Sequence, residues 1–290
     1  MKSRSYSSLL LTMAFAVFTV SNIQAQLISD WFNVKAVDYQ QTSAASPTVI
    51  SGNAYSWEHF FNPNGGDTVV SASVTVPSGT LSPLTMAEDG GEWVISADAG
   101  SQAALDAIVG DGIHGMNVTF GTAGAQAGSL DLQNDGTETY FSTVPEITSV
   151  SNAVWSGGDL IVTAGTTATI NFNGMSESNF TPGTDIVFIG IDGTGGESEL
   201  GGNTAFGSFT IGSGGDFDLV AGTYEIEIEI ANVVDTTTAF GGSAGVAAFS
   251  RITGVNLVVT SAVPEPASFA LVGGLFALGF GATRRRRRVV

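Results

Sequence analysis

From residue 26 to residue 262 the chain is built of short runs in which apolar and polar residues alternate. Asp67 to Val76 reads Asp-Thr-Val-Val-Ser-Ala-Ser-Val-Thr-Val. Similar runs lie at Met116 to Phe120, Leu160 to Thr163, Ala168 to Phe172, Ile186 to Ile191, Phe206 to Ile211, Tyr224 to Ile230 and Val255 to Thr260. A period of two in β-branched and aromatic residues, broken by Gly, Pro, Asn or Asp, predicts strands. One stretch departs from it. Ser101 to Val109 carries Ala103, Ala104, Leu105, Ala107 and Ile108 and stops at Gly110, which predicts a helix crossing between strands. Evenly spaced short strands predict an all-β fold, an antiparallel β-sandwich. A boundary near Thr143 to Thr148 divides the body into two tandem modules. These are a β-rich module (26–143) holding the short helix, and an immunoglobulin-like sandwich (144–262) that ends in a Val-rich strand. A single larger sandwich or jelly roll accommodates the same strands.

The pattern changes at both ends. Lys2 and Arg4 precede an apolar run from Leu9 to Val20, and Ile23-Gln24-Ala25 places a small residue after it. That order predicts a secretory signal peptide over 1–25, cut after Ala25, with an uncleaved anchor as the alternative. At the other end Ala267 to Thr283 contains no charge. As a helix at 1.5 Å per residue, a transmembrane helix over 267–283 covers about 25 Å, the low edge of a bilayer core. Gly273, Gly274, Gly279 and Gly281 thin one side of it. Arg284, Arg285, Arg286, Arg287 and Arg288 follow, and a basic block of this kind stays cytoplasmic. The body then lies across the membrane from it. Pro264 and Pro266 mark an extended, accessible segment just outside the bilayer.

The ordered combination Val263-Pro264-Glu265-Pro266, apolar span and arginine block resembles the PEP-CTERM sorting domain of Gram-negative bacteria. The likeness covers Val263 to Arg288 and says nothing of the body. It implies recognition by an exosortase, a membrane-embedded thiol transpeptidase, with cleavage near Pro264-Glu265-Pro266. It also implies transient anchoring in the inner membrane, then release to the cell surface or an extracellular matrix containing exopolysaccharide. A plain anchor that is never cut is the other reading. An internal Val144-Pro145-Glu146 has no apolar span behind it and reads as a linker.

Removing both ends alters the charge. Of nine Lys and Arg only Lys35 and Arg251 remain, against 27 Asp and Glu, so the mature body carries about −25. Such a body is repelled by nucleic acid and by anionic membrane surfaces. It also repels itself unless salt or divalent cations screen it. The absence of cysteine excludes disulfides, thiol nucleophiles and Cys-ligated metals.

Candidate chemistry is thin. Gly241-Gly242-Ser243-Ala244-Gly245 fits the Gly-x-Ser-x-Gly elbow, but both histidines, His59 and His114, precede the serine, contrary to the order such hydrolases require. Glu225, Glu227 and Glu229 alternate with isoleucines and are expected on a solvated outer face. Asp-rich loops at Asn62 to Asp67, Gln133 to Gly136 and Asp192 to Glu197 match no EF-hand, which leaves calcium a minor option and no cofactor called for. The aromatic patch Trp57-Glu58-His59-Phe60-Phe61 reads as core. These features predict no enzyme but an exported surface or matrix protein. The rival is a carbohydrate-binding module or glycan-active enzyme, which would need a cleft built from residues such as Trp57, Trp93, Trp155, Glu58 and Glu92.

Overall fold

The computed structural model describes residues 27–78, 82–132, 140–173, 180–181, 184–193, 196, 198–202 and 207–261. Ala25, the expected sorting motif at Val263 to Pro266, the span 267–283, Arg284 to Arg288 and the 133–136 loop lie outside them. Among the described residues no helix is long and apolar enough to cross a membrane.

The regular structure of the described chain is strand, apart from one short helix. Its first half runs β1 (Ile28–Gln40), β2 (Thr48–Val49), β3 (Tyr55–Pro63), β4 (Val69–Thr75), β5 (Leu84–Thr85), β6 (Ala87–Asp89), β7 (Glu92–Ala99), α1 (Gln102–Val109), β8 (Ile113–Phe120) and β9 (Gly124–Asp131). Its second half runs β10 (Ile147–Ser151), β11 (Ala153–Ser156), β12 (Asp159–Thr163), β13 (Ala168–Phe172), β14 (Ile186–Gly193), β15 (Ser198–Gly202), β16 (Ser208–Ile211), β17 (Gly222–Ala239) and β18 (Ser243–Thr260). The helix sits where the sequence places it. Ser101 Oγ accepts from the Ala104 amide, and Gly110, at φ 71°, closes the last turn through Asp106 O.

Three sheets form. An eleven-stranded sheet runs β15-β14-β17-β18-β1-β3-β7-β6, with β2, β11 and β12 joined at its sides. A four-stranded sheet (β5-β4-β8-β9) and a three-stranded sheet (β10-β13-β16) pack against it. The all-β, sandwich-like expectation holds in this layered form. The pairing is not purely antiparallel, however: β18 runs parallel to β1 and to β12. These pairings join segments 97 to 214 residues apart, and local alternation carries no trace of them.

The long β17–β18 hairpin decides the architecture. Residues opposite each other in a ladder share a face, so alternate β18 residues line one side. On that side Ala247 and Phe249 join the first core with Trp31, Trp57, Phe61, Val74, Met116, Val118 and Leu130. Farther along the same side Val255, Leu257 and Val259 join the second core with Ile226, Ile228, Ile230, Ile170, Phe209 and Ile189. One strand therefore serves both cores. A strand from the 144–262 stretch completes the sheet over the core of the 26–143 stretch.

Between the cores the same side of β18 presents Arg251 and Thr253. The 140–147 segment crosses over them as a strap. Arg251 donates from Nε to Phe141 O and from its terminal nitrogen to Tyr39 Oη, and Thr253 Oγ1 donates to Pro145 O at 2.6 Å. Gln41 grips Ile147 twice, donating to its carbonyl at 3.0 Å and accepting from its amide at 2.8 Å. The Val144-Pro145-Glu146 linker is thus fastened to the sheet at both ends.

Candidate functional site

Two polar regions stand out, one on each face of the large sheet. The first lies inside the first core. β1 and β3 place Trp31, Asn33 and Lys35 beside Phe61, His59 and Trp57, and β8 brings His114 against Trp57, with ring centroids 5.7 Å apart. The Trp57 indole donates to Asn33 Oδ1 at 2.7 Å. Lys35 is fully buried and its ammonium meets two carboxylates, Asp106 at 2.8 Å and Asp111 more closely still. His114 Nδ1 lies 3.0 Å from Gly112 O, so Nδ1 carries the proton and Nε2 the lone pair. Burial holds His59 down to about 3 and His114 to about 4, so both imidazoles are neutral at ordinary pH.

The second region is the opposite face. Phe32 stacks on Phe60 at 4.8 Å among Val34, Ile186, Ala231, Val246 and Ala248. Beside this apolar strip lie the buried acids Asp38, Glu58, Glu92, Glu227 and Glu229. Burial, followed by the charges of Glu92, Asp98 and Glu229, pushes Glu58 up to about 8. Burial also pushes Glu229 up to about 7, against a hydrogen bond from Ser250. The expectation that Glu225, Glu227 and Glu229 form a solvated row is corrected here. Glu227 is 8% exposed and Glu229 1%, because the sheet that carries them is buried on both faces.

The other sequence candidates resolve into structure. Gly241 and Gly242, at φ 84° and 112°, make the turn of the β17–β18 hairpin. Ser243 is fully buried and its hydroxyl donates to Ile28 O, which leaves no exposed nucleophile. Gly245 leaves room for the Trp31 indole; a Cβ there would lie 2.6 Å from Trp31 Cζ2. Asp67 spends its carboxylate on the amides of Thr68, Thr122 and Ala123. No group of three or more His, Asp or Glu side chains suited to a metal ion occurs among the described residues.

The residues named for a glycan cleft do not converge. Adjacent residues of a strand point to opposite faces, so Trp57 and Trp93 lie on the core side while Glu58 and Glu92 lie on the other. Trp57 is fully buried, Trp93 stacks on Phe61 at 6.2 Å, and Trp155 packs at the margin of the second core. Sequence reasoning missed Lys35 with its two aspartates and Arg251 with its strap. The signal available was scarcity: between Arg4 and Arg284 these are the two Lys or Arg residues of the chain, against 26 acids over residues 26–262.

No family profile matches the chain, and no curated protein is similar to it in sequence. Solved structures overlay it only loosely. A bacterial ice-binding adhesin, described for its host cell surface retention, aligns over 81% of this chain and 66% of its own, at 13% identity and TM-score 0.21. A chimeric titin Z1Z2 aligns over 80% and 94%, at 12% identity and TM-score 0.22. The adhesin InvE of Yersinia pseudotuberculosis aligns over 81% and 64%, at 12% identity and TM-score 0.19. Overlays at this level establish neither a shared fold nor a shared function.

Proposed function

We propose that the chain is a non-enzymatic, exported surface or matrix protein. Its acidic β-body is delivered across the inner membrane and then processed at Val263 to Pro266 by an exosortase, with Arg284 to Arg288 holding the tail on the cytoplasmic side. Exopolysaccharide is the partner this address suggests.

The observation that carries the reading is where the reactive side chains sit. Ser243, His59, His114, Lys35 and Arg251 are all committed to the interior or to fastening strands. A turnover enzyme needs such groups convergent on an accessible cleft. The tail and leader supply the destination, and the mature charge of about −25 fits a hydrated, ion-rich exterior. The immunoglobulin-like character of the second half belongs to this proposal, supported by the three-stranded sheet packed on β14, β17 and β18.

The test is the intact mass and C-terminal peptide of protein recovered from its native envelope. A terminus within Val263 to Pro266, with the arginines gone, is the expected result. A terminus at Val290 makes the tail a simple anchor and removes the exosortase from the account.

A further inference from the structure

Lys35 is placed as no ordinary surface lysine is. Its side chain has 0% exposure, and its register partners on either side are Trp57 of β3 and Phe249 of β18. Water is therefore excluded along its stem. At its tip two carboxylates meet one ammonium: Asp106 from α1, and Asp111 just past the Gly110 cap. One carboxylate would neutralise the charge. Two in contact with the same nitrogen, in an aromatic pocket, supply both a carbonyl carbon and a separate proton carrier.

We propose that Lys35 and Asp111 condense to an intramolecular isopeptide bond, with Asp106 moving the protons. The ammonium first gives a proton to Asp106, which passes it to an oxygen of Asp111. The freed Nζ lone pair attacks Asp111 Cγ. Asp106 then takes a second proton from the nitrogen and delivers it to the hydroxyl that leaves. The Nζ–Cγ bond forms, one Cγ–O bond breaks, and a single water departs carrying two of the three ammonium protons. The third stays in the amide. Nothing is oxidised or reduced, and no co-reactant is needed.

Burial along the stem works against the ammonium charge, while the two carboxylates that hold it are in place to take its protons. Fixed contact replaces a bimolecular encounter, the effect that makes intramolecular reactions fast. Asp106 and Asp111 are 28% and 34% exposed, so the released water has a route out while the amine does not meet bulk solvent. The neutral imidazole of His114, its Nε2 without a hydrogen-bond partner among the described residues, adds no competing charge. The bond would tie β1 to the segment after α1 in a chain that has no cysteine for a disulfide. The reaction happens once per molecule, so it is compatible with a protein that turns over no substrate, and it does not depend on how the tail is processed.

The experiment is denaturing mass spectrometry of the purified full chain, with a peptide map covering residues 27–132. The expected result is a branched peptide joining Lys35 to Asp111, lighter by one water than its two linear parts. Lys35→Arg keeps the charge and returns the linear mass, and Asp106→Asn lowers the bridged fraction. Recovery of Lys35 from the wild-type chain in a linear peptide of full mass overturns the proposal. A branch to Asp106, or an Asp106→Asn chain bridged as completely as wild type, overturns the assigned roles.

Discussion

Replacing Glu58 by Gln should change the pH dependence of stability more than stability itself. Glu58 sits at about 8 in the folded chain against an ordinary 4.5, raised by burial and then by Glu92, Asp98 and Glu229. Between those two values the unfolded chain is ionised while the folded chain keeps its proton. Folding stability therefore falls as pH rises through that window, by at most about 1.4 kcal/mol per pH unit for one group. Gln is neutral, nearly isosteric and free of this linkage. From pH 5 to pH 7 the variant should gain about 2 to 3 kcal/mol relative to wild type. The gain should level off above about pH 8. Glu229, at about 7, adds a slope of the same sign in the wild type. His59 and His114, held at about 3 and about 4, oppose it. Their neutral forms are favoured in the folded chain, so their contribution is complete above the unfolded value of 6.5 and is lost as pH falls. The two effects offset each other between about pH 4.5 and 6.5, and the carboxyls act alone above that. The assay is urea denaturation of wild type and Glu58→Gln at pH 5, 6.5 and 8.5 at fixed ionic strength. An equal difference in midpoint at all three pH values would refute the reasoning, because it would mean that Glu58 ionises alike in both states.

Gly245→Ala should cost about 2 kcal/mol or more and alter near-ultraviolet circular dichroism, since the new methyl overlaps the buried Trp31 indole. Arg251→Met keeps the stem but frees Phe141 and Tyr39 from the guanidinium; a loss of about 2 kcal/mol in urea is expected, with new protease cuts between residues 140 and 147. The mature body should melt lower in very low salt than in molar salt, because about 25 excess negative charges lose their screening. An unchanged melting temperature there would remove the ion-rich setting from the proposed function.

The sequence exposed what is locally encoded. Ala168–Phe172 alternates cleanly because one face meets the second core and the other stays more open, and the structure returns that strand with the same bounds. The α1 helix was legible because Gly110 stops it, at a position where a Cβ would lie 2.7 Å from the Ser78 amide. The 13-residue β1 was not legible. Asn33, Lys35 and Asp38 are buried within it, so neither face shows a polar–apolar contrast. The same cause hid the setting of the glutamates of β17. Their alternation with isoleucine was plain, but a period of two tells which residues share a face and not whether that face meets water. Lys35 met its aspartates through a contact 71 to 76 residues long, which no local pattern encodes.

The parallel pairing of β1 with β18 has a mechanical consequence. The two strands are held side by side over eleven register pairs, Asp30 with Ala244 through Gln40 with Gly254. The chain enters at the start of β1 and leaves at the far end of β18. A pull on the two termini therefore draws these neighbours past each other along their length. Every rung is loaded in shear at once, rather than opened one at a time like a zip. A body tethered at one end to an envelope and dragged at the other by flow or by a matrix would meet that load across all eleven rungs of this ladder.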